Sequence, residues 1–76
     1  MIRDGFITTL QRRLTRVRQA ACLADAQFWA TGVLGMTSAG FLLGALSFEE
    51  RDRLDDLIAN AQNTREAELS AQEAAA

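Results

Sequence analysis

The segment from Gly44 to Glu50 constrains the fold of this chain more than any other, because it carries the signals of a corner between two helices. A glycine adopts the left-handed backbone conformation that ends many helices, since it has no Cβ to clash. Three residues later, the hydroxyl of Ser47 can cap a new helix while the Glu50 carboxylate reaches back to the Ser47 amide, the reciprocal pattern called a capping box. Leu46 supplies an apolar side chain that can close over the corner. The sequence therefore predicts a helical hairpin whose corner consists of Gly44, Leu46, Ser47 and Glu50.

Apolar residues before this corner recur at alternating spacings of three and four, which is the period of a coiled-coil seam. We expect an all-α fold with one long first helix over about residues 5–43, and the glycines between residues 32 and 40 leave a kink there open. The second helix is expected over about residues 48–69. The domain then covers residues 1–70, and residues 71–76 form a flexible tail.

The predicted second helix is shorter than the first, so the N-terminal part of the seam has no partner within the chain. An exposed apolar stripe of that length is typical of an interaction surface. Self-association is the simplest way to cover it, so we expect a homo-oligomer, in the first place a dimer, with a different protein as the alternative cover. The predicted interface consists of Ile7, Leu10, Leu14, Val17, Ala21 and Phe28. Carried forward in the same phase, the seam continues through Gly32, Gly35, Ala39 and Leu42.

Charge is segregated along the 76 residues, whose net charge is −2. Residues 1–25 contain five arginines and two aspartates, residues 49–76 contain three arginines and eight acids, and residues 26–48 contain no charge. Arginine side chains suit contacts with carboxylates and phosphates. The predicted contact with a target protein consists of Arg12, Arg13, Arg16 and Arg18. An arginine-rich nucleic-acid-binding helix is an alternative, but the sequence pI of about 4.9 is not that of a typical nucleic-acid-binding domain.

The uncharged run over residues 26–48 is long enough to span a membrane. The arginines before it and the acids after it fit a single-pass orientation with a cytoplasmic N-terminus. However, the run contains four glycines and the helix cap at Ser47. We therefore favour a buried hairpin helix in a cytoplasmic protein, with a span over 26–48 in the inner membrane as the alternative.

Catalytic chemistry has little to build on in this composition. The chain has no histidine and one cysteine, so neither a histidine-based triad nor a typical zinc site can form. Several carboxylates follow the corner, but they are spread around one helix and are best interpreted as a solvated face. Cys22 is interpreted as a small packing residue. We expect a non-catalytic protein without a cofactor or metal.

The run from Gly44 to Ala61, GALSFEERDRLDDLIANA, resembles the hairpin corner of many short helical proteins encoded by temperate phages and plasmids, among them anti-CRISPR inhibitors. This resemblance covers about a quarter of the chain. It implies a non-catalytic accessory protein that binds and inhibits a host protein complex. It carries over no specific functional residue.

Overall fold

A computed structural model describes residues 2–75, which form three α-helices: α1 over Ile2–Arg18, α2 over Leu23–Leu42 and α3 over Phe48–Ala75. No strand occurs in this part of the chain, so the predicted all-α class is confirmed. The predicted two-helix hairpin is wrong, because the expected first helix is divided into α1 and α2. Every pair of helices is in contact, and together they form an elongated bundle 46 Å long.

The corner between α2 and α3 is built from local hydrogen bonds. Gly44 has a φ of 79°, in the left-handed region that favours glycine. The Ser47 amide donates to Glu50 Oε1 at 3.0 Å, and the Glu50 amide donates to Ser47 Oγ at 3.1 Å. These are the two reciprocal bonds of a capping box. Leu46 is buried beneath the corner, and α3 begins at Phe48.

The chain breaks between α1 and α2 at residues 19–22, whereas α2 is continuous through the glycines at 32–40. Cys22 stands in an extended conformation before α2 and makes no side-chain cap. Ala20 is buried in the break, and its carbonyl accepts a hydrogen bond of 2.8 Å from Arg65 Nε of α3. Packing against α3 therefore fixes a turn that contains neither glycine nor proline.

The break changes which face of α2 is buried. The predicted seam assumed one unbroken helical phase from Ile7 to Leu42, but a new helix starts after residue 22 with its own phase. Phe6 of α1 lies against Gly40 of α2, where the glycine leaves room for the ring. The buried residues of α2 are Ala26, Ala30, Val33, Thr37 and Gly40, and none of them belongs to the predicted seam.

The core lies where the three helices meet. Its central side chains are Leu10 and Val17 of α1, Val33 of α2 and Ile58 of α3. The predicted seam residues of α1 therefore do have an intrachain partner, and the expectation that they lack one is wrong. The reason is that α2 and α3 both reach α1 once the first helix is divided.

The third helix is longer than predicted, because it continues from Leu69 to Ala75. Leu69 is buried beside the break between α1 and α2, which explains why α3 extends this far. Residues 71–75 of the predicted tail are helical and exposed. Among residues 2–75, no helix combines the length and the apolar character required to cross a membrane. The alternative span over 26–48 contains most of α2, the corner and the first residue of α3.

Candidate protein-interaction surface

An exposed row of arginines runs along α1 beside α2. Arg12, Arg13 and Arg16 are all exposed, and Arg16 lies over the ring of Trp29 at 5.6 Å from its centroid. This geometry is that of a cation–π contact. Of the four arginines that the sequence predicts as a target contact, Arg18 differs from the other three in its ion pairing. Arg18 Nη1 is paired with Glu68 Oε1 of α3 at 3.0 Å, so it serves the bundle itself.

The other three arginines form no ion pair within residues 2–75. Every other arginine of this part of the chain except Arg53 has a carboxylate within 4.0 Å. A guanidinium group with no internal partner keeps its full capacity to bind a carboxylate from another molecule. The arginine row is therefore available for a partner, whereas Arg18 is not.

Two aromatic rings extend this row onto α2. Phe28 and Trp29 make an edge-to-face contact with ring centroids 5.4 Å apart. Trp29 is half-buried against α1, whereas Phe28 is 69% exposed. Arg13 lines an open groove of about 690 Å³ together with both rings. We call Arg12, Arg13, Arg16, Phe28 and Trp29 the arginine–aromatic patch.

The sequence did not show this patch as one surface. Phe28 was predicted to belong to the seam, apart from the arginines. The break at residues 19–22 turns α2 back along α1, and this reversal brings residues 28 and 29 beside residues 13 and 16. A basic last turn in α1 followed by Asp25 in the first turn of α2 is the signal that could have revealed the break, because helix dipoles favour cations at C-termini and anions at N-termini.

The predicted interface residues are distributed over different environments. Leu10 and Val17 are buried in the core, and Ile7 and Leu14 are half-buried against it. Ala21 and Phe28 are exposed. The structure therefore does not bring these six residues together on one accessible face. Phe28 alone of the six lies in the arginine–aromatic patch.

A second exposed surface follows the side of α2 that faces away from the core. Phe28 and Leu42 are the large exposed side chains at its two ends, and small residues lie between them. An added Cβ at Gly32 or Gly35 would meet no heavy atom within 4 Å, so the surface is open there. We call Phe28, Gly32, Gly35, Ala39 and Leu42 the outer stripe of α2.

Carboxylates at the start of α3 are engaged in contacts within the bundle. The Thr37 hydroxyl donates to Asp55 Oδ1 at 2.6 Å, and Arg3 pairs with Glu50. Hydrogen bonding to the Ser47 amide, with a further contribution from Arg3, holds the pKa of Glu50 below its ordinary value. Within the described part of the chain, no group of His, Cys, Asp and Glu side chains is arranged to hold a metal ion.

No family model, curated protein or solved structure matches the chain. The arginine–aromatic patch offers charge and ring faces to a partner, and the outer stripe of α2 offers an uncharged helical face.

Proposed function

We propose that this protein is a non-catalytic protein–protein interaction module that binds an acidic protein surface through the arginine–aromatic patch. The observation that carries this proposal is the set of three exposed arginines that have no ion pair within residues 2–75 and lie beside two aromatic rings. The same three arginines were singled out as a target contact from the sequence. Trp29 and Phe28 add the apolar contact area that an arginine row lacks by itself.

Arginine and tryptophan are enriched among the residues that dominate binding energy at protein interfaces. A guanidinium group binds a carboxylate through two parallel hydrogen bonds and can stack on an aromatic ring at the same time. Phe28 is large and mostly exposed, so a partner that covers it removes apolar surface from water. We expect a partner that presents Asp or Glu side chains around an apolar centre.

A partner of this chemistry should bind in a salt-dependent way. The arginines lie at the surface, where added salt screens their attraction for carboxylates. Opposite charge on the two partners mainly raises the association rate, whereas the covered rings slow dissociation. We therefore expect charge changes at the arginines to alter the association rate, and truncation of Phe28 to alter the dissociation rate.

A narrower form of the proposal concerns the biological setting. The resemblance of residues 44–61 to phage and plasmid proteins suggests a mobile-element accessory protein that acts in the cytoplasm and inhibits a host protein complex. That setting rests on the resemblance alone. The interaction proposal rests on the patch and does not require it.

The test begins with cross-linking in bacterial cells and mass spectrometry to identify a protein joined to the patch. The affinity of that protein is then measured for the wild type and for the variant carrying Arg12→Glu, Arg13→Glu and Arg16→Glu. We expect at least a tenfold loss for the triple variant at low salt. Binding that survives the triple change at low salt contradicts the proposal, as does tighter binding to single-stranded nucleic acid than to any protein.

A single pair of variants separates a specific contact from a general charge effect. Arg12 and Arg53 are both exposed on helices and neither has an ion pair within residues 2–75. Each change to glutamate alters the net charge equally, but only Arg12 lies in the patch. We expect Arg12→Glu to weaken binding and Arg53→Glu to leave it nearly unchanged. Equal losses would show that net charge, and not the patch, controls binding.

A further inference from the structure

The groove beside Arg13 in the arginine–aromatic patch reaches the backbone of α2 at Gly32. Gly32 has no side chain, and an added Cβ there would meet no heavy atom within 4 Å, so the space over this residue is open. The rings of Phe28 and Trp29 line the same groove. We call this depression the anchor groove. Its volume of about 690 Å³ is comparable to that of ligand sites, which span ~300–1,000 Å³.

A smaller, basic depression adjoins the anchor groove. Its volume is about 240 Å³, and we call it the arginine pocket. The residues that line it are Thr9, Arg12, Arg13, Arg16 and Trp29. Arg13 and Trp29 also line the anchor groove, so the two depressions lie side by side. None of the three arginines has an ion pair within residues 2–75, so all three are available to an acidic occupant.

The shape of the anchor groove favours a projecting side chain over a flat protein surface. Phe28 is 69% exposed and therefore rises from α2 beside the groove, where it holds a flat partner away from Gly32. A single side chain that projects from the partner can pass the ring and reach Gly32. A large apolar side chain fits best, because its contact with the two rings removes apolar surface from water.

Charge sets the second requirement for the occupant. A guanidinium group binds a carboxylate through two parallel hydrogen bonds, so the three arginines of the pocket suit a partner with several carboxylates. Gln27 and Thr31 add an amide and a hydroxyl to the anchor groove, and these groups can pair with the main chain of a peptide. Because the two depressions adjoin, the apolar and acidic side chains must lie close together in the partner. Four residues of a helix cover about 6 Å, and two residues of an extended chain cover about 7 Å.

We propose that the partner binds through one short acidic peptide segment, with a large apolar side chain in the anchor groove and at least two acidic side chains in the arginine pocket. The acidic side chains lie within four residues of the apolar one. This inference rests on the proposed function and deepens it, because it replaces a general acidic surface with a linear segment that has one anchor. An apolar segment without acids would leave the three guanidinium groups of the pocket without a partner.

The first test selects peptides from a phage-displayed library of random dodecapeptides on the full chain at low salt. We expect the enriched peptides to carry an aromatic or large aliphatic residue and at least two acids within four positions of it. The same selection on the variant with Arg12→Glu, Arg13→Glu and Arg16→Glu should lose this motif. No enrichment, enrichment of apolar peptides without acids, or persistence of the motif on the triple variant would overturn the proposal.

Trp29 gives a direct readout of the groove, because it is the single tryptophan of the chain. An enriched peptide that contains no tryptophan is titrated into the protein while the emission of Trp29 is followed. We expect the emission to move to shorter wavelength, since the bound peptide covers the ring. Binding without any change in this emission would place the peptide elsewhere on the protein and would contradict the inference.

Two glycine changes test the anchor groove itself. Gly32→Leu places a side chain where the anchor of the partner would lie, whereas Gly35→Leu adds the same side chain outside the groove. Both glycines are exposed in α2, and an added Cβ meets no heavy atom within 4 Å at either position, so circular dichroism should show unchanged helix content. We expect Gly32→Leu to weaken peptide binding at least tenfold and Gly35→Leu to leave it nearly unchanged. Equal affinities of the two variants would overturn the proposal.

The anchor and the arginine contact can fail separately. The target protein identified by cross-linking is therefore measured against Gly32→Leu and against the triple arginine variant. A target that binds Gly32→Leu with full affinity but loses the triple variant would refute the anchor and leave the proposed function standing. A target that binds both variants with full affinity would refute the proposed function as well.

Discussion

The change of Gly40 to alanine, compared with the same change at Gly35, tests how α1 packs on α2. Both glycines lie inside α2, where alanine is favoured over glycine by about 1 kcal/mol in helix propensity. At Gly35 an added Cβ meets no heavy atom within 4 Å. We therefore expect Gly35→Ala to raise the free energy of unfolding by about 0.5–1 kcal/mol.

The environment of Gly40 is different, because an added Cβ there would lie 2.6 Å from Phe6 Cζ and 3.1 Å from Leu46 Cδ1. The Phe6 ring would have to move away, and Leu46 is buried beneath the corner and cannot yield easily. Adding a methyl group to such a packed site costs about 1–3 kcal/mol. After the propensity gain of about 1 kcal/mol, Gly40→Ala should lower stability by about 0–2 kcal/mol.

The assay is urea unfolding followed by far-ultraviolet circular dichroism. Both alanine variants are measured over a series of low protein concentrations, so that stabilities independent of concentration are compared. We expect Gly40→Ala to be less stable than Gly35→Ala by about 1–3 kcal/mol. Phe6→Leu should reduce this difference, because the shorter side chain vacates the space of the new methyl group. Equal stability of the two alanine variants would refute the close approach of α1 to α2 at this point.

Three further predictions concern single side chains. Cys22→Ser should stabilise the fold by about 0.5–1 kcal/mol in thermal or urea unfolding, because position 22 precedes α2 in an extended conformation and serine caps helices well. An unchanged stability would contradict the role of position 22 as the N-cap of α2. Thr37→Val should lower the free energy of unfolding by about 1–2 kcal/mol in the same assay, because it removes the buried hydroxyl that donates to Asp55. Unchanged stability would mean that this hydrogen bond does not stabilise the fold. The lowered pKa of Glu50 stabilises the folded protein at pH values above the pKa of a glutamate in the unfolded chain. This stabilisation is lost as the pH falls through the pKa that Glu50 has in the folded protein. Glu50→Gln should therefore reduce the stability difference between neutral and acid pH, and an identical pH profile would contradict the Glu50 carboxylate as its source.

The corner at residues 44–47 could be predicted because every signal for it is local. A left-handed glycine and a serine–glutamate capping box need only residues within one turn of each other, and the start of α3 at Phe48 followed from them. The class of the fold was also accessible, since apolar residues recur with helical spacing.

The break at residues 19–22 has only a weak local signal, the basic last turn of α1 followed by Asp25, because the contact that stabilises it comes from far along the chain. Arg65 lies 45 residues from Ala20, and no local pattern announces their hydrogen bond. A continuous first helix gives the residues of α2 the wrong helical phase. The prediction therefore assigns the exposed residues Phe28 and Leu42 to the apolar seam and omits Val33, which is buried in the core. The arginines of the patch were visible in the sequence, but their position beside Trp29 depends on the reversal of the chain.

The hydrogen bond from Arg65 to Ala20 also bears on when the protein acquires its surface during synthesis. Arg65 is synthesised 45 residues after Ala20, so α1 and α2 are complete before this bond can form. At about 5–20 residues per second, this delay is roughly 2–9 seconds. The α1–α2 turn, and with it the juxtaposition of arginines and aromatic rings, therefore receives its support from α3 only some seconds after the turn itself has been synthesised.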